Sequence, residues 1–600
     1  MSAVVAHLNH SDLPGRTASM VEKGLDVQTG RAPGPIELLS ATGAALGFRA
    51  HRASGVDHAG AAQRHTTNGD VFLVLSGFID NLTEMQGKVG DHQPSPAETL
   101  LENYLSRGEG FIDHVGGAFA IAIWDERTRT GYLYRDRLGV EPLYYFVDTA
   151  RGEIRASSEL KGLFVDPKLP RRFDITAVPD LLNSTSRVPG TTVYRDYWEV
   201  KPGTALVIHK DRIAHRTYWE PPRRTTVPDL AEASETIRSL LHDATRRRMN
   251  QGSDATNQGF LLSGGLDSSL ICSFASRNAG SSIDTYSFTY EDAAADFKAD
   301  ALHVSLDEPF VKTMVQALGS RHTDITVPNE QFEEALKKTV KARDLPGVGD
   351  LDVALMRMLE AVATDKNVVF SGEAADDLFG GYPWFSGEYQ RRGNTFPWLS
   401  GSAASSLLRD SIRRELDIDA TLRSRYEAAC TEARTTQGRS DGEARMRGVF
   451  WAELTRFLPF LLDRVDRMSA AAGVRVQLPF TDHRLVEYVW DLPYAMKTTG
   501  NIEKGILRKA GEGWLPTDIR TRRKSGFAVG KSPAYREAIQ TALEHLTTRQ
   551  SVVWDIADRD AVRNAVQSGA WADGTYSGPP ILPRLVMLDI WSTEYNVSFV

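Results

Sequence analysis

The chain has 600 residues, of which 41 % are hydrophobic and 25 % charged, and its formal net charge is -8. This length predicts more than one core, and the composition excludes a disordered or fibrous chain. The mild negative charge argues against a general nucleic-acid binder, which needs a basic face for phosphates.

Cys272 and Cys430 are the only cysteines, so neither a disulfide framework nor a thiolate metal site is expected. The opening MSAVVAHLNHSD lacks a basic start and a long apolar stretch, and no apolar run reaches the roughly 18 residues of a membrane span. No membrane association is expected, and the cytoplasm is the expected location.

The first 210 or so residues read as strands joined by Gly-rich and polar turns. Val71 to Ile79 and Ala118 to Trp124 are short apolar runs, and Gly131 to Arg135 and Leu143 to Val147 are aromatic-rich. Ala97 to Leu105 has the pattern of an intervening helix. Together these predict an α+β sandwich with sheets covered on one or both faces.

The Pro-, Thr- and charge-rich stretch from Trp219 to Leu230 marks a linker. We therefore divide the chain into a first domain over 1–215, a linker over 216–230 and a second domain over 231–600. After the linker Ile237, Leu240, Leu241 and Ala244 recur at helical spacing, and Arg246-Arg247-Arg248 reads as the solvated end of that helix. Strands Gly259–Leu262, Asp284–Thr289 and Val368–Phe370 then alternate with helices, which implies a parallel α/β sheet. From about residue 400 the chain reads as mainly helical.

Ser263-Gly264-Gly265-Leu266-Asp267-Ser268-Ser269 lies between a strand and a helix. Two glycines permit a tight turn whose N–H groups approach an anion, and the helix that follows presents its positive end. The three serines add hydroxyl donors, and Asp267 fits once a divalent cation bridges it to phosphate oxygens. No Lys follows the glycines, so this is not a Walker A loop. The segment resembles the pyrophosphate loop of the N-type ATP pyrophosphatases, which cleave ATP to AMP and PPi.

Three further segments narrow the resemblance. Ser371 to Tyr382 (SGEAADDLFGGY) resembles the SGEGADELFGGY segment of asparagine synthetases of the glutamine-hydrolysing type. LDRVDR at Leu462 to Arg467 and VRVQLPFTDHR at Val474 to Arg484 resemble that family's LxxVDRxSMAxxxExRxPFLDHR stretch, and Lys524-Ser525-Gly526-Phe527 resembles its KxGF motif. The resemblance runs in the family's order over nearly the whole chain. It implies an Ntn-hydrolase-like αββα sandwich followed by an ATP-pyrophosphatase domain with a helical C-terminal part. It also implies ATP and Mg²⁺. Asp267 and Asp376 match the carboxylates that hold Mg²⁺, and Leu262, Phe288, Ser371 and Gly372 match the lining of the adenosine pocket. Lys524 matches the lysine that stabilises the departing pyrophosphate. Glu373 matches the carboxylate facing the acyl-adenylate, where it orients the amine and accepts its proton.

The first half resembles the family's glutaminase domain. It has RDRLGVEPLYY from Arg135 against the family's RDRxGxKPLYY, SELK at Ser158 to Lys161, and LGFR at Leu46 to Arg49. Its chemistry residues depart. The family's nucleophile is Cys at position 2, and this chain has Ser2, a much poorer nucleophile. The family's NGEIYN loop reads Ser76-Gly77-Phe78-Ile79-Asp80-Asn81, so an amide donor and the carboxylate that grips glutamine's ammonium are both lost. HRGPD is reduced to Gly30-Arg31-Ala32-Pro33-Gly34, while Arg49 and Asp136 survive at positions that contact glutamine in the family.

These departures predict an inactive glutaminase half on a working, AMP-forming amide ligase. Its substrates would be a small-molecule or peptide carboxylate and ammonia or an amine, and its setting a biosynthetic or natural-product pathway. Three other readings stand beside it: an ordinary glutamine-dependent asparagine synthetase, a lasso-peptide macrocyclase of the kind related to the β-lactam synthetases, and a non-catalytic binding protein. Family members are often dimers, so a homodimer is an expectation of the resemblance alone.

Overall fold

The computed structural model describes residues 1–600 apart from 10–13, 52–58, 87–93, 150, 210–211, 223–225, 251–254, 292–304, 328–330, 386–394, 400–405, 434–439, 527–532 and 570–580. Part of the expected linker and Phe527 of the KxGF motif therefore lie outside the described residues.

The first half consists of two six-stranded antiparallel sheets. Its elements in chain order are β1 (Ala3–Asn9), α1 (Pro14–Asp26), β2 (Ile36–Ala41), β3 (Ala44–Arg49), β4 (Gly60–Thr66), β5 (Gly69–Ile79), α2 (Pro96–Arg107), β6 (Gly117–Asp125), β7 (Thr130–Arg135), β8 (Tyr144–Asp148), β9 (Glu153–Ser157), β10 (Tyr197–Glu199), β11 (Thr204–His209) and β12 (Arg212–Thr217). One sheet runs β10-β8-β9-β1-β3-β2 and the other β12-β11-β7-β6-β5-β4.

Alternate residues of each strand explain the layers. Val4, Ala6 and Leu8 meet Phe72, Val74 and Trp124 between the sheets. Ala3 and Val5 face outward onto Val21 and Leu25 of α1, and Val71, Leu73 and Leu75 face outward onto Leu100 and Leu101 of α2. With both faces covered, β5 and β6 are apolar without interruption, as their sequences require. The helix α2 starts where Ser95 and Glu98 form a capping box followed by Pro96. The result is the expected αββα sandwich.

The second half opens with α3 (Leu230–Met249). It is built on a parallel sheet of β13 (Gln258–Leu261), β14 (Asp284–Tyr290), β15 (Arg321–Val327), β16 (Val368–Phe370) and β17 (Arg475–Gln477), in the order β15-β14-β13-β16-β17. The helices α4 (Leu266–Ala279), α5 (Phe332–Arg343), α6 (Asp350–Ala363), α7 (Ala375–Phe379), α8 (Leu458–Ala472), α9 (Gly505–Ala510) and α10 (Ile581–Tyr595) pack around it. The chain beyond 400 is mainly helical, as expected, with the short strand β17 as an addition. Three residues from the VRVQLPF segment complete the sheet edge beside β16, and a strand that short leaves no periodic signal.

The halves are joined by buried ion pairs. Arg467 of α8 contacts Glu159 at 3.2 Å and donates to Ser158 O, Lys161 contacts Asp344 at 3.1 Å, and Tyr144 donates to Asp463. The Arg246–Arg248 cluster is not merely a solvated helix end. Arg248 is buried, donates to Leu478 O, pairs with Asp80 at 3.3 Å and lies 5.3 Å from the ring centre of Phe78. The helix α3 thus uses its last turn to grip the first domain.

Candidate functional site

The C-terminal ends of β13, β14 and β16 open onto one crevice, the usual ligand position in an open parallel sheet. From β13 the chain turns through Ser263-Gly264-Gly265 into α4. Gly264 has φ +65°, and a Cβ there would come within 2.6 Å of the Phe310 and Val311 backbone, so only glycine suits the turn. Ser263 and Ser268 share a hydroxyl contact of 3.2 Å across the loop. The first N–H groups of α4 have no intrahelical acceptor and are left for an anion. Ser269 is fully buried in that turn, with its hydroxyl unpartnered among the described residues. Leu262 is buried, and Phe288 packs half-buried against the same core.

The second loop enters from β16. Ser371 N–H donates to Gln477 O at 3.0 Å, and Glu373 N–H donates to Ser371 Oγ at 3.4 Å. A Cβ on Gly372 would meet Ser268 N at 2.8 Å, so the two loops pack backbone on backbone. Ala374 stands where the resembled motif has glycine, and it adopts φ +74°. That conformation strains a residue bearing Cβ. Ala374→Gly should therefore raise stability by about 1 kcal/mol, read from the shift in denaturant midpoint.

The acidic centre lies between the loops. Lys504 Nζ touches Asp267 Oδ2 at 2.6 Å and Asp376 Oδ1 at 2.7 Å, and Lys524 Nζ touches Asp376 Oδ2 at 2.7 Å. Burial pushes the Asp376 carboxyl up, but Lys504 and Lys524 outweigh it and hold this group below the ordinary range. Burial dominates at Asp267 and raises it, with Lys504 opposing and Asp376 adding repulsion. The two carboxylates thus converge on one small cation, which here is the ammonium of Lys504. This donor set of hard oxygens fits Mg²⁺. Gly381 makes the arrangement possible, because a Cβ there would overlap Asp376 Oδ1. Gly381→Ala should displace that carboxylate and remove AMP formation with the fold intact, checked by activity beside circular dichroism.

Burial raises the Glu373 carboxyl, with Arg464 and Lys524 opposing. Lys504 was not found from the sequence, although its position in IEKGILR, at φ +53° before α9, is set by the same need to reach both carboxylates. Arg522, a basic loop residue of the kind usually solvated, is buried. It donates to Ser263 O at 3.0 Å, pairs with Asp307 at 2.6 Å and lies 4.1 Å from the Phe310 ring centre. It braces the loop, whereas Arg523 is exposed.

The residues of the glutaminase site come together differently. Ser2 Oγ and Ser76 Oγ lie 3.1 Å apart and are fully buried. Ser76 donates to Glu141 at 3.0 Å, and Glu141 stands where the resembled RDRxGxKPLYY motif has lysine. Arg31 fills the centre. Its Nε donates to Ser2 O at 2.8 Å, and its Nη atoms reach Glu141 at 3.0 Å and Asp466 of α8 at 2.6 Å and 3.1 Å. Gly77 has φ +102°, and a Cβ there would overlap Ala118 O. Phe78 is buried beneath Arg248. Asp136 accepts N–H bonds from Leu138, Gly139, Val140 and Glu141, so it anchors its own turn. Arg49 is spent on Asp26 at 3.0 Å.

A family model described as asparagine synthase matches residues 236–593, and one described as a glutamine amidotransferase domain matches residues 1–219. Asparagine synthetase (glutamine-hydrolyzing) 3 of Bacillus subtilis is 32 % identical over 553 residues, covering 89 % of each chain. The chain belongs to the asparagine synthase family. Asparagine synthetase (glutamine-hydrolyzing) 2 of the same organism is 25 % identical over 522 residues, 82 % of this chain and 66 % of that one. Amidase chry2 of Gibberella zeae is 25 % identical over 615 residues, 88 % of each. As a member of the asparagine synthase family, the chain is an ATP-dependent, amide-forming ligase acting on a carboxylate and ammonia or an amine. Among the described residues no helix is long and apolar enough to cross a membrane.

Proposed function

We propose that this asparagine synthase family member makes its amide without drawing on glutamine. The observation that carries the reading is the buried Ser2–Ser76–Glu141–Arg31 cluster. Ser2 replaces a thiol, its carbonyl is tied to Arg31, and its hydroxyl meets Ser76, which itself donates to the Arg31-bound Glu141. The α-ammonium of glutamine would meet the Phe78 ring instead of a carboxylate. The first domain, which we assign to 1–215 with a linker over 216–230 before the synthetase domain at 231–600, serves as a scaffold.

On the synthetase side, the loop after Gly264 and the first turn of α4 bind the phosphates of ATP. Asp267 and Asp376 would hold Mg²⁺, which neutralises charge on the pyrophosphate as it leaves. Lys524 and Lys504 add fixed positive charge in the same place, where it lowers the barrier to adenylate formation. Glu373, half-buried and with its carboxyl raised, is the base that takes a proton from the amine as it attacks the acyl carbon and AMP leaves. The retained glutamate supports an intermolecular amidation; a biosynthetic or natural-product setting, the cytoplasm and a homodimer are proposed from the family resemblance.

The test supplies ATP, Mg²⁺ and aspartate or another acid, with ammonium or glutamine as nitrogen source, and reads AMP and amide by mass spectrometry. Amide from ammonium and none from glutamine is the expected result. Amide and glutamate from glutamine would overturn the reading.

A further inference from the structure

A second cavity lies between the two domains, away from the ATP loop. Its walls come from Leu181, Arg187 and Glu199 of the first domain and from Arg343, Arg456 and Arg584 of the second, with Asp463 of α8 and the Phe460 ring beside them. Four arginines line it against three carboxylates, and each of those carboxylates is already engaged. Glu199 accepts from Arg135 and Arg187, Asp463 from Arg343 and Arg467, and Asp180 from Arg425.

Arg456 donates to Thr455 Oγ at 2.8 Å, and its ion pair among the described residues lies at the rim, with the Glu432 side chain, which is 48 % exposed. The Nε groups of Arg343 and Arg456 are buried without a hydrogen-bond partner among the described residues. Buried donors left unmatched are costly and mark a place where an acceptor belongs. Burial also lowers Arg456, outweighing the opposing Glu432. The remaining wall is apolar, with Leu181, Val193, Leu345, Val348 and Phe460.

We propose that this interdomain cavity binds an organic carboxylate with an apolar body. The arginine donors match the carboxylate, and the apolar wall favours a carbon skeleton over a bare phosphate or sulfate. The site is coupled to catalysis through α8. Asp463 lines the cavity, and the next residue, Arg464, acts electrostatically on Glu373. A carboxylate seated there would fix the helix that sets the base. The carboxylate is an effector rather than the acid that becomes adenylated, because none of the ATP-loop residues, Glu373, Asp376 or Lys524 lines this cavity.

The test is calorimetric titration of the full chain with butyrate and succinate, with sulfate as the charge-only control. Arg456→Met removes a donor, and Val193→Phe fills the apolar wall while keeping every charge. The expected result is saturable carboxylate binding tighter than sulfate binding, weakened about tenfold by each variant, while ATP binding and circular dichroism are unchanged. Absence of saturable carboxylate binding, sulfate binding of equal strength, or affinity unchanged in both variants would overturn the proposal. With ATP and Mg²⁺ added, the bound acid should yield no AMP of its own; AMP formed in step with its binding would overturn the effector reading.

Discussion

Asp376→Asn will abolish the Mg²⁺ dependence of ATP binding and lower AMP formation by roughly 10²–10³-fold or more. Asp376 is the only carboxylate in the described site that faces two ammonium groups, Lys504 on one oxygen and Lys524 on the other. Converting it to an amide removes the proposed metal ligand and the partner that holds both lysines. Lys504 then keeps only Asp267, whose carboxyl burial already raises, so neither a cation nor the lysines remain where negative charge develops. The fold should survive, because Asn has the same shape and lies in the same pocket against Gly381. Calorimetric titration of ATP with and without Mg²⁺ reads the effect without knowledge of the acid substrate. Wild-type Mg²⁺ dependence in the variant would show that Asp376 is not a metal ligand.

Motif-borne features were legible in the sequence because each needs particular residue types at fixed spacing. Ser263–Ser269 required a strand before it and a helix after it, and both are present. The sandwich was legible from mostly apolar strands such as Val71–Ile79, which suit a sheet covered on one or both faces. What was not legible depends on tertiary approach. Lys504 lies 237 residues from Asp267 in sequence, and nothing in IEKGILR announces the contact. Arg248 and Arg522 look like surface charge in a one-dimensional reading, because basic residues at a helix end or in a loop are usually solvated. Each is buried here because a particular acceptor meets it, Leu478 O and Asp80 for Arg248, Ser263 O and Asp307 for Arg522.

On the proposed reading, the first domain's lost chemistry and its retained fold have one physical explanation. Arg31 survives from the degenerate turn not for glutamine but as the centre of a charge cluster spanning both domains. Glu141, in place of lysine, supplies the second carboxylate that balances it. A working pocket needs empty, polar, hydrated space, whereas this one is closed by side chains that satisfy each other.

Arg31→Met tests that account and should cost about 3–5 kcal/mol, because it strands Glu141 and Asp466 as buried charges. Burial already lifts the Asp466 carboxyl to about 6 with Arg31 beside it. Without Arg31 the folded-state value rises further above that of the unfolded chain, so the folded state takes up protons more readily. Stability lost at neutral pH should then be partly recovered as pH falls from 7.5 to 5.5 through that raised value. Denaturant midpoints at pH 7.5 and 5.5 read both effects, and Glu141→Gln in the Arg31→Met background should restore part of the loss by removing one stranded charge. A second readout separates clamp from chamber. Arg31 is joined to α8 through Asp466, and α8 carries Arg464 toward Glu373, so the variant should also slow amide formation from ammonium. Stability unchanged within about 0.5 kcal/mol, with the ammonium-dependent rate intact, would mean that the cluster neither holds the domains together nor positions the synthetase site.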